Sequence, residues 1–267
     1  GKIDKTMVVL GSATPSIEAY HLAKKGKMAL HTLLNRPLGS NLPEILLSPL
    51  GSEFQKAQGF HLFGETALKA LQENLKKGEQ SLVFMNRRGY HAQQTCTQCA
   101  EAIKCSGCSI PMTFHKQDNE LQCHFCGYHQ RVLTQCPLCG GETMRFKGFG
   151  TQSVEARLQM AFKEARIMRI DKDTTKEKGS LESFFDTFSA QGSDILIGTQ
   201  MIAKGLDFSH LTLAIILNID SHLNRPDFRA HEEAFQLMTQ VAGRAGRAAL
   251  KGCVIIQTLN PEHPLCL

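Results

Sequence analysis

Eight of the ten cysteines in this chain fall between Cys96 and Cys139, as four C-x-x-C pairs: Cys96/Cys99, Cys105/Cys108, Cys123/Cys126 and Cys136/Cys139. Two cysteines three positions apart on a tight knuckle turn both sulfurs toward one centre. Two such knuckles complete the tetrahedral thiolate cage that zinc favours. Four knuckles therefore predict two zinc ions, each with four cysteine ligands. A disulfide framework or free buried thiols would use the same residues. Against disulfides stand the lack of a recognisable signal peptide and the intracellular α/β character of the flanking sequence. Cys253, in an apolar run, and Cys266 have no partner knuckle and read as structural.

Four knuckles can pair in three ways. Five residues separate Cys99 from Cys105, too few for the β-hairpin that a zinc ribbon places between its knuckles. Fourteen separate Cys108 from Cys123, with a strand-like Pro111–Phe114 and a polar turn at Asp118-Asn119. The spacing favours nested pairing: Cys105, Cys108, Cys123 and Cys126 on the inner ion, and Cys96, Cys99, Cys136 and Cys139 on the outer one.

Charge gives little away. The formal net charge is +5, and eight thiolates around two dications bring it to about +1. Nucleic-acid binding must then come from local patches. No apolar run approaches the roughly 20 residues of a membrane-spanning helix, so no membrane partner is expected.

Around the cysteine block, buried-strand patterns alternate with amphipathic helical ones. Met7–Leu10 reads as a strand, followed by Gly11-Ser12-Ala13-Thr14-Pro15, with Thr14 expected to cap a helix reaching about Lys25. Residues 39–60, within a stretch rich in Gly, Pro and Ser, read as a linker. A helix at 64–76 and a strand at 81–85 open a second lobe, 61–91. The cysteine module, 92–147, interrupts it, and 148–267 resume the pattern. Strands are expected at 167–170, 194–198, 213–217 and 253–257, and helices at 153–163, 181–189 and 232–241. Such alternation predicts a parallel sheet with helices on both faces.

Four stretches carry chemistry. Gln240-Val-Ala-Gly243-Arg244-Ala-Gly246-Arg247 offers two glycines for close backbone approach and two guanidinium groups suited to phosphate oxygens. Thr199 and Gln200, in Gly198-Thr-Gln-Met-Ile-Ala-Lys-Gly205-Leu-Asp207, follow a buried strand, where open α/β sheets bind ligands. Asn86-Arg87-Arg88-Gly89 and Gly150-Thr151-Gln152-Ser153 are further loops suited to phosphodiester contacts.

In this order, G-S-A-T, S-L-V-F-M-N-R-R-G-Y, G-T-Q-S-V-E, I-L-I-G-T-Q-M-I-A-K-G-L-D-F and Q-V-A-G-R-A-G-R resemble the later motifs of superfamily-two helicases. With the cysteine spacing, Asp227–Ala230 and Asn260–Pro264, the chain resembles the bacterial primosomal replication-restart DNA helicases over essentially its whole length. The resemblance implies a RecA-like helicase lobe with an inserted two-zinc module, preceded by the tail of a first lobe at residues 1–38. It implies an ATP-driven 3′-to-5′ DNA helicase, using Mg²⁺, that acts at stalled forks and at junctions of single-stranded and duplex DNA. Its implied partners are other primosome proteins and, indirectly, single-stranded DNA-binding protein and the machinery that loads the replicative helicase. Its implied place is the bacterial cytoplasm, at the nucleoid.

Residue by residue, Arg247 is implied as the arginine finger, with Arg244 and Gln240 beside it. Gly205, Asp207, Gly243 and Gly246 are implied at the nucleotide. Thr199, Gln200, Arg87, Arg88 and Thr151 are implied at DNA, and Ser12, Ala13 and Thr14 in coupling the two. The family's zinc sites pair in the nested way. This chain carries no Walker A loop and no Walker B motif, which the family places upstream, so it reads as a piece of a longer enzyme and as inactive alone. Leu206 stands where many relatives have His. The competing expectation is a non-catalytic zinc-ribbon module that binds DNA or protein.

Overall fold

Val, Ile and Leu crowd the runs between the helical segments, as in strands covered on both faces. The computed structural model of the chain describes residues 7–33, 42–50, 62–85, 93–96, 98–99, 101–115, 118–142, 144–147, 150–171, 174–175, 180–202, 208–223, 225, 227–246 and 250–266. The chain divides into two units, Gly1–Gly39 and Ser40–Leu267.

Among its described residues the first unit contains one helix, α1 (Ile17–Lys24), none of whose residues is buried. Ser16, not Thr14, caps it, accepting the Ala19 N–H at 3.2 Å. Met7–Leu10, expected to be a strand, has no strand conformation and is 62–90% exposed. Apolar side chains alone do not make a strand; its backbone needs a neighbour to bond.

In the second unit the order is β1 (Glu44–Pro49), α2 (Glu65–Lys77), β2 (Gln80–Met85), β3 (Gln93–Cys96), β4 (Thr113–His115), β5 (Glu120–Gln122), β6 (His129–Arg131) and β7 (Met144–Lys147). Then follow α3 (Thr151–Ala161), β8 (Ile167–Ile170), α4 (Ser180–Ser189), β9 (Ile195–Gly198), β10 (Leu211–Leu217), α5 (Asp220–Leu223), α6 (Ala230–Ala242) and β11 (Cys253–Thr258). Six strands form one sheet in the order β1-β11-β10-β2-β9-β8, with every neighbouring pair parallel.

Successive side chains point to opposite faces of the sheet, and the core divides accordingly. Leu82, Phe84, Leu196, Ile216 and Val254 pack with Phe188 of α4 and with Leu237 and Val241 of α6. Val83, Ile195, Ile197, Ile215 and Ile255 pack with Ala67 and Leu71 of α2 and with Val154 and Leu158 of α3. Phe188 also meets Phe208 edge-on, with ring centroids 4.8 Å apart. Helices thus cover both faces, as the alternation predicted.

The segment read as a linker at 39–60 carries β1, whose Ile45, Leu46 and Leu47 lie in register with Val254, Ile255 and Ile256. Its terminal Pro49 suits an edge strand, which needs ladder bonds on one side only. That position hid it: short, flanked by prolines and half-exposed, it shows neither alternation nor a long apolar run. The single-turn helix α5 is likewise too short to have a period.

Candidate metal centre and nucleic-acid interface

The cysteine module leaves the lobe after β2 and returns to it just before α3. Its base is the antiparallel pair β3–β7, which sets Gln93 opposite Lys147 and Cys96 opposite Met144. Above it a three-stranded sheet, β4-β5-β6, spans the inner knuckles, with Asn119 in the left-handed conformation (φ 54°) at the polar turn the sequence predicted.

Each knuckle is folded by its own backbone. The N–H groups of Cys96, Cys105, Cys123 and Cys136 donate to the carbonyls of Glu101, Ile110, Tyr128 and Gly141 at 2.8–2.9 Å. Ser109, Gly127 and Gly140 follow the second cysteine of their knuckles and have φ of 58°, 77° and 73°. Glycine suits that left-handed turn, and Ser109 accepts it at some cost.

Two clusters result. Cys96, Cys99, Cys136 and Cys139 form one, and Cys105, Cys108, Cys123 and Cys126 the other, with all sulfurs of a cluster within 4.8 Å of one another. The arrangement is nested. Sulfurs of Cys96 and Cys139 are 3.6 Å apart, those of Cys99 and Cys136 3.7 Å, and those of Cys105 and Cys126 3.7 Å. A disulfide requires about 2.0 Å. Tetrahedral zinc with Zn–S of about 2.3 Å places its sulfurs about 3.8 Å apart, so the residues fit the ion. Burial works against ionisation of Cys96, yet the N–H groups of Cys99 and Gln98 and the neighbouring thiols hold it down at about 7. Burial and the thiols of Cys139, Cys136 and Cys96 push Cys99 up to about 12. Apolar support is slight: Ile103, Met112 and Leu121 close over the inner cluster beside Cys105 and Cys123.

The lobe places the remaining residues at opposite ends of its sheet. Ile170 and Phe84 both lie in register with Gly198, so the carboxyl ends of β2, β9 and β8 form one edge, from which the module also springs. Thr199 and Gln200 start the turn after β9, where the Thr199 carbonyl accepts the Ile202 N–H at 2.9 Å; Thr199 is buried and Gln200 half-buried. A Cβ on Gly198 would lie 1.5 Å from Ile202 Cδ1, so a larger residue there would displace the buried Ile202 side chain. Thr151 begins α3 at the same edge, but its side chain faces inward: its hydroxyl donates to the Asp171 carboxylate.

The arginine turn lies at the other end. The Gly246 N–H donates at 2.9 Å to the carbonyl of Leu211, the first residue of β10. Gly246 has φ 72°, and a Cβ there would sit 2.2 Å from the Gly252 amide nitrogen. Its close approach is therefore to the protein's own backbone. Gly243 closes α6, its N–H bonded to Thr239 O at 2.9 Å; Gln240 is exposed and Arg244 half-buried. Arg87, Arg88, Gly205, Asp207 and Arg247 lie outside the described residues. Ser12, Ala13 and Thr14 belong to the first unit, where the Thr14 N–H donates to Ser12 Oγ at 3.1 Å.

One residue carried no role in the sequence reading and stands out in the structure. Asp171, fully buried at the end of β8, bonds Thr151, Arg169 and Thr174. Its signal was the run Asp171-x-x-Thr174-Thr175, a side-chain-to-backbone turn pattern.

A parallel sheet covered on both faces, with motif-bearing turns at its two ends and a two-cage cysteine insert after β2, defines a RecA-like helicase lobe carrying a zinc module. Comparison with known proteins agrees. Residues 141–249 match the helicase conserved C-terminal domain, and residues 105–131 match the PriA DNA helicase Cys-rich region domain. The chain is 48% identical over 266 residues to the replication restart protein PriA of Chlamydia pneumoniae, covering 99% of this chain and 36% of that protein. It is 44% identical to the PriA of Bacillus subtilis, covering 96% of this chain and 32% of that protein, and 38% identical to that of Haemophilus influenzae, covering 97% and 35%. Across nearly its whole length the chain belongs to the PriA family of replication restart proteins, and it spans about a third of the length of these relatives. No helix among the described residues is long and apolar enough to cross a membrane.

Proposed function

We propose that this chain supplies the second helicase lobe and the zinc module of an ATP-driven replication-restart DNA helicase moving 3′ to 5′ in the bacterial cytoplasm, at the nucleoid. The observation that carries the reading is the nested pair of four-cysteine cages inserted between β2 and α3 of a RecA-like lobe. Within the reading, the carboxyl edge of β2, β9 and β8 takes the DNA backbone through the turns bearing Thr199, Gln200 and Thr151, joined by Arg87 and Arg88. Backbone N–H groups and small polar side chains at such turns suit phosphodiester oxygens and carry no base sequence.

The opposite end answers to nucleotide. Gln240 lies in the last turn of α6 and Arg244 just beyond it, where the Gly246 clasp fixes the backbone; Arg247 follows in sequence. Arg247 stabilises the charge spread over a γ-phosphoryl group in transfer. Gly205 and Asp207 lie in the segment joining the two ends of the sheet, and Ser12–Thr14 couple nucleotide state to DNA. ATP with Mg²⁺ is held chiefly by Walker motifs that the chain does not carry. Zinc, when bound, supplies a structural cross-link; the thiolates hold the knuckles in register and take no part in phosphoryl transfer. The module then serves contacts with forked DNA or with other primosome proteins.

The test is ATP hydrolysis by the complete protein, with and without forked DNA, beside this chain alone. The expected outcome is DNA-stimulated turnover in the complete protein, none in the chain alone, and loss of turnover with DNA binding retained in Arg247→Ala. Absence of turnover in both would leave a zinc-ribbon binding module as the better account. Equal loss of DNA binding in Arg247→Ala would make that arginine a phosphodiester contact.

A further inference from the structure

A fully buried carboxylate is costly to keep, and a well-packed apolar group would often serve stability as well or better. Asp171 is such a group, with no accessible surface, at the carboxyl end of β8. Its carboxylate accepts from the Thr151 hydroxyl, from the Arg169 guanidinium and, at 3.1 Å, from the Thr174 N–H. Its own N–H donates to Thr174 Oγ1 at 2.9 Å, and its carbonyl accepts the Thr175 hydroxyl at 2.7 Å. The same Thr175 Oγ1 lies 4.0 Å from the sulfur of Met201, in the turn that begins at Thr199. Arg169, 15% exposed, extends the network to Glu155 on α3 at 2.9 Å.

Three segments distant in sequence are thus tied at one point: the start of α3, the turn after β8 and the turn after β9. We propose that Asp171 is a positioning residue that sets the Thr151 and Thr199 turns in mutual register for gripping a DNA backbone. The proposal rests on the reading of this edge as the DNA-binding face. Successive phosphates are spaced by the nucleic acid, so two turns serve one strand only when their separation is fixed. Asp171 fixes it without touching the strand, and Arg169 balances its charge.

The experiment uses the complete protein and single-stranded DNA of mixed sequence, reading the DNA concentration that half-maximally stimulates ATP hydrolysis. In Asp171→Asn the side-chain amide cannot accept from all three donors, and half-saturation is expected to rise about tenfold. The KM for ATP and turnover without DNA should stay at parental values. Thr174→Val, which loses the hydroxyl at nearly constant volume, is expected to shift half-saturation the same way. Thr174→Ser is expected to restore it. Parental half-saturation in folded Asp171→Asn and Thr174→Val would overturn the proposal. So would a loss of thermal stability with proportionate losses in every kinetic parameter, which would mark a merely structural network. Thr199→Ala separates the two readings. If it weakens DNA stimulation and Asp171→Asn does not, only the positioning role fails; if the parent shows no DNA stimulation, the functional reading itself fails.

Discussion

Residues 93–147 and the lobe that carries them are ordered by different means. Among the described residues, the module's own cluster buries five side chains, two of them cysteines, while the lobe buries 20 on one face of its sheet and 13 on the other. At about 1.5–3 kcal/mol for each large apolar side chain, burial contributes several times more to the lobe than to the module. Small modules with so little core depend on metal or disulfide cross-links. The lobe's stability is therefore spread over many modest contributions, and the module's is concentrated in two places.

The largest expected effect exploits that concentration. A structural zinc contributes about 10–16 kcal/mol in apparent binding free energy, so chelation should release two ions per chain and unfold the module. Amide exchange should accelerate throughout β4, β5 and β6 while β2, β9 and β10 keep their protection. Equal loss of protection in the lobe would show that the two regions are one cooperative unit.

Next in size is Gly246→Ala. It places a Cβ 2.2 Å from backbone at a φ of 72°, so neither rotamer change nor a small shift relieves it. The expected cost is about 3–5 kcal/mol of lobe stability, read by denaturant unfolding, with zinc content unchanged. A variant of parental stability would mean that the turn following α6 repacks freely.

The smallest effect concerns the Arg166–Asp194 pair, with Arg166 Nη2 and Asp194 Oδ1 2.5 Å apart. Partial burial opposes ionisation of Asp194, but the side chain and backbone N–H of Arg166 prevail and hold its carboxyl below the usual carboxylate range. Since the folded value is depressed, the stabilisation is present above the unfolded value of about 3.9 and is lost as pH falls through the folded one. For a pair this exposed, Asp194→Asn should cost at most about 1 kcal/mol at neutral pH, with the difference vanishing in acid. A constant difference across that range would assign the cost to packing.

The same contrast governs what could be read from the sequence. Spacing favoured nested pairing because a knuckle is local and five residues are too few for the hairpin of a zinc ribbon. Strands β2, β9, β10 and β11 were legible because burial on both faces leaves unbroken apolar runs. β1 was not, since what makes it a strand is β11, some two hundred residues further on. Met7–Leu10 failed in the opposite sense, with the composition of a strand and no bonding partner among the described residues. Thr151 and Asp171 lie 20 positions apart and meet only once α3 has folded back along β8, so the inward turn of the Thr151 hydroxyl was invisible beforehand. The sequence offered the glycines of the arginine turn for close backbone approach; the surface that Gly246 approaches is the chain itself.

The module enters and leaves through β3 and β7, whose outer residues Gln93 and Lys147 stand opposite each other. Two chain ends already side by side can be joined by a short turn, and the lobe would then close as an ordinary strand-to-helix connection. In evolutionary terms the module is a cassette. Changes within it leave the sheet beneath uncut, so the module and the lobe are free to vary separately in sequence.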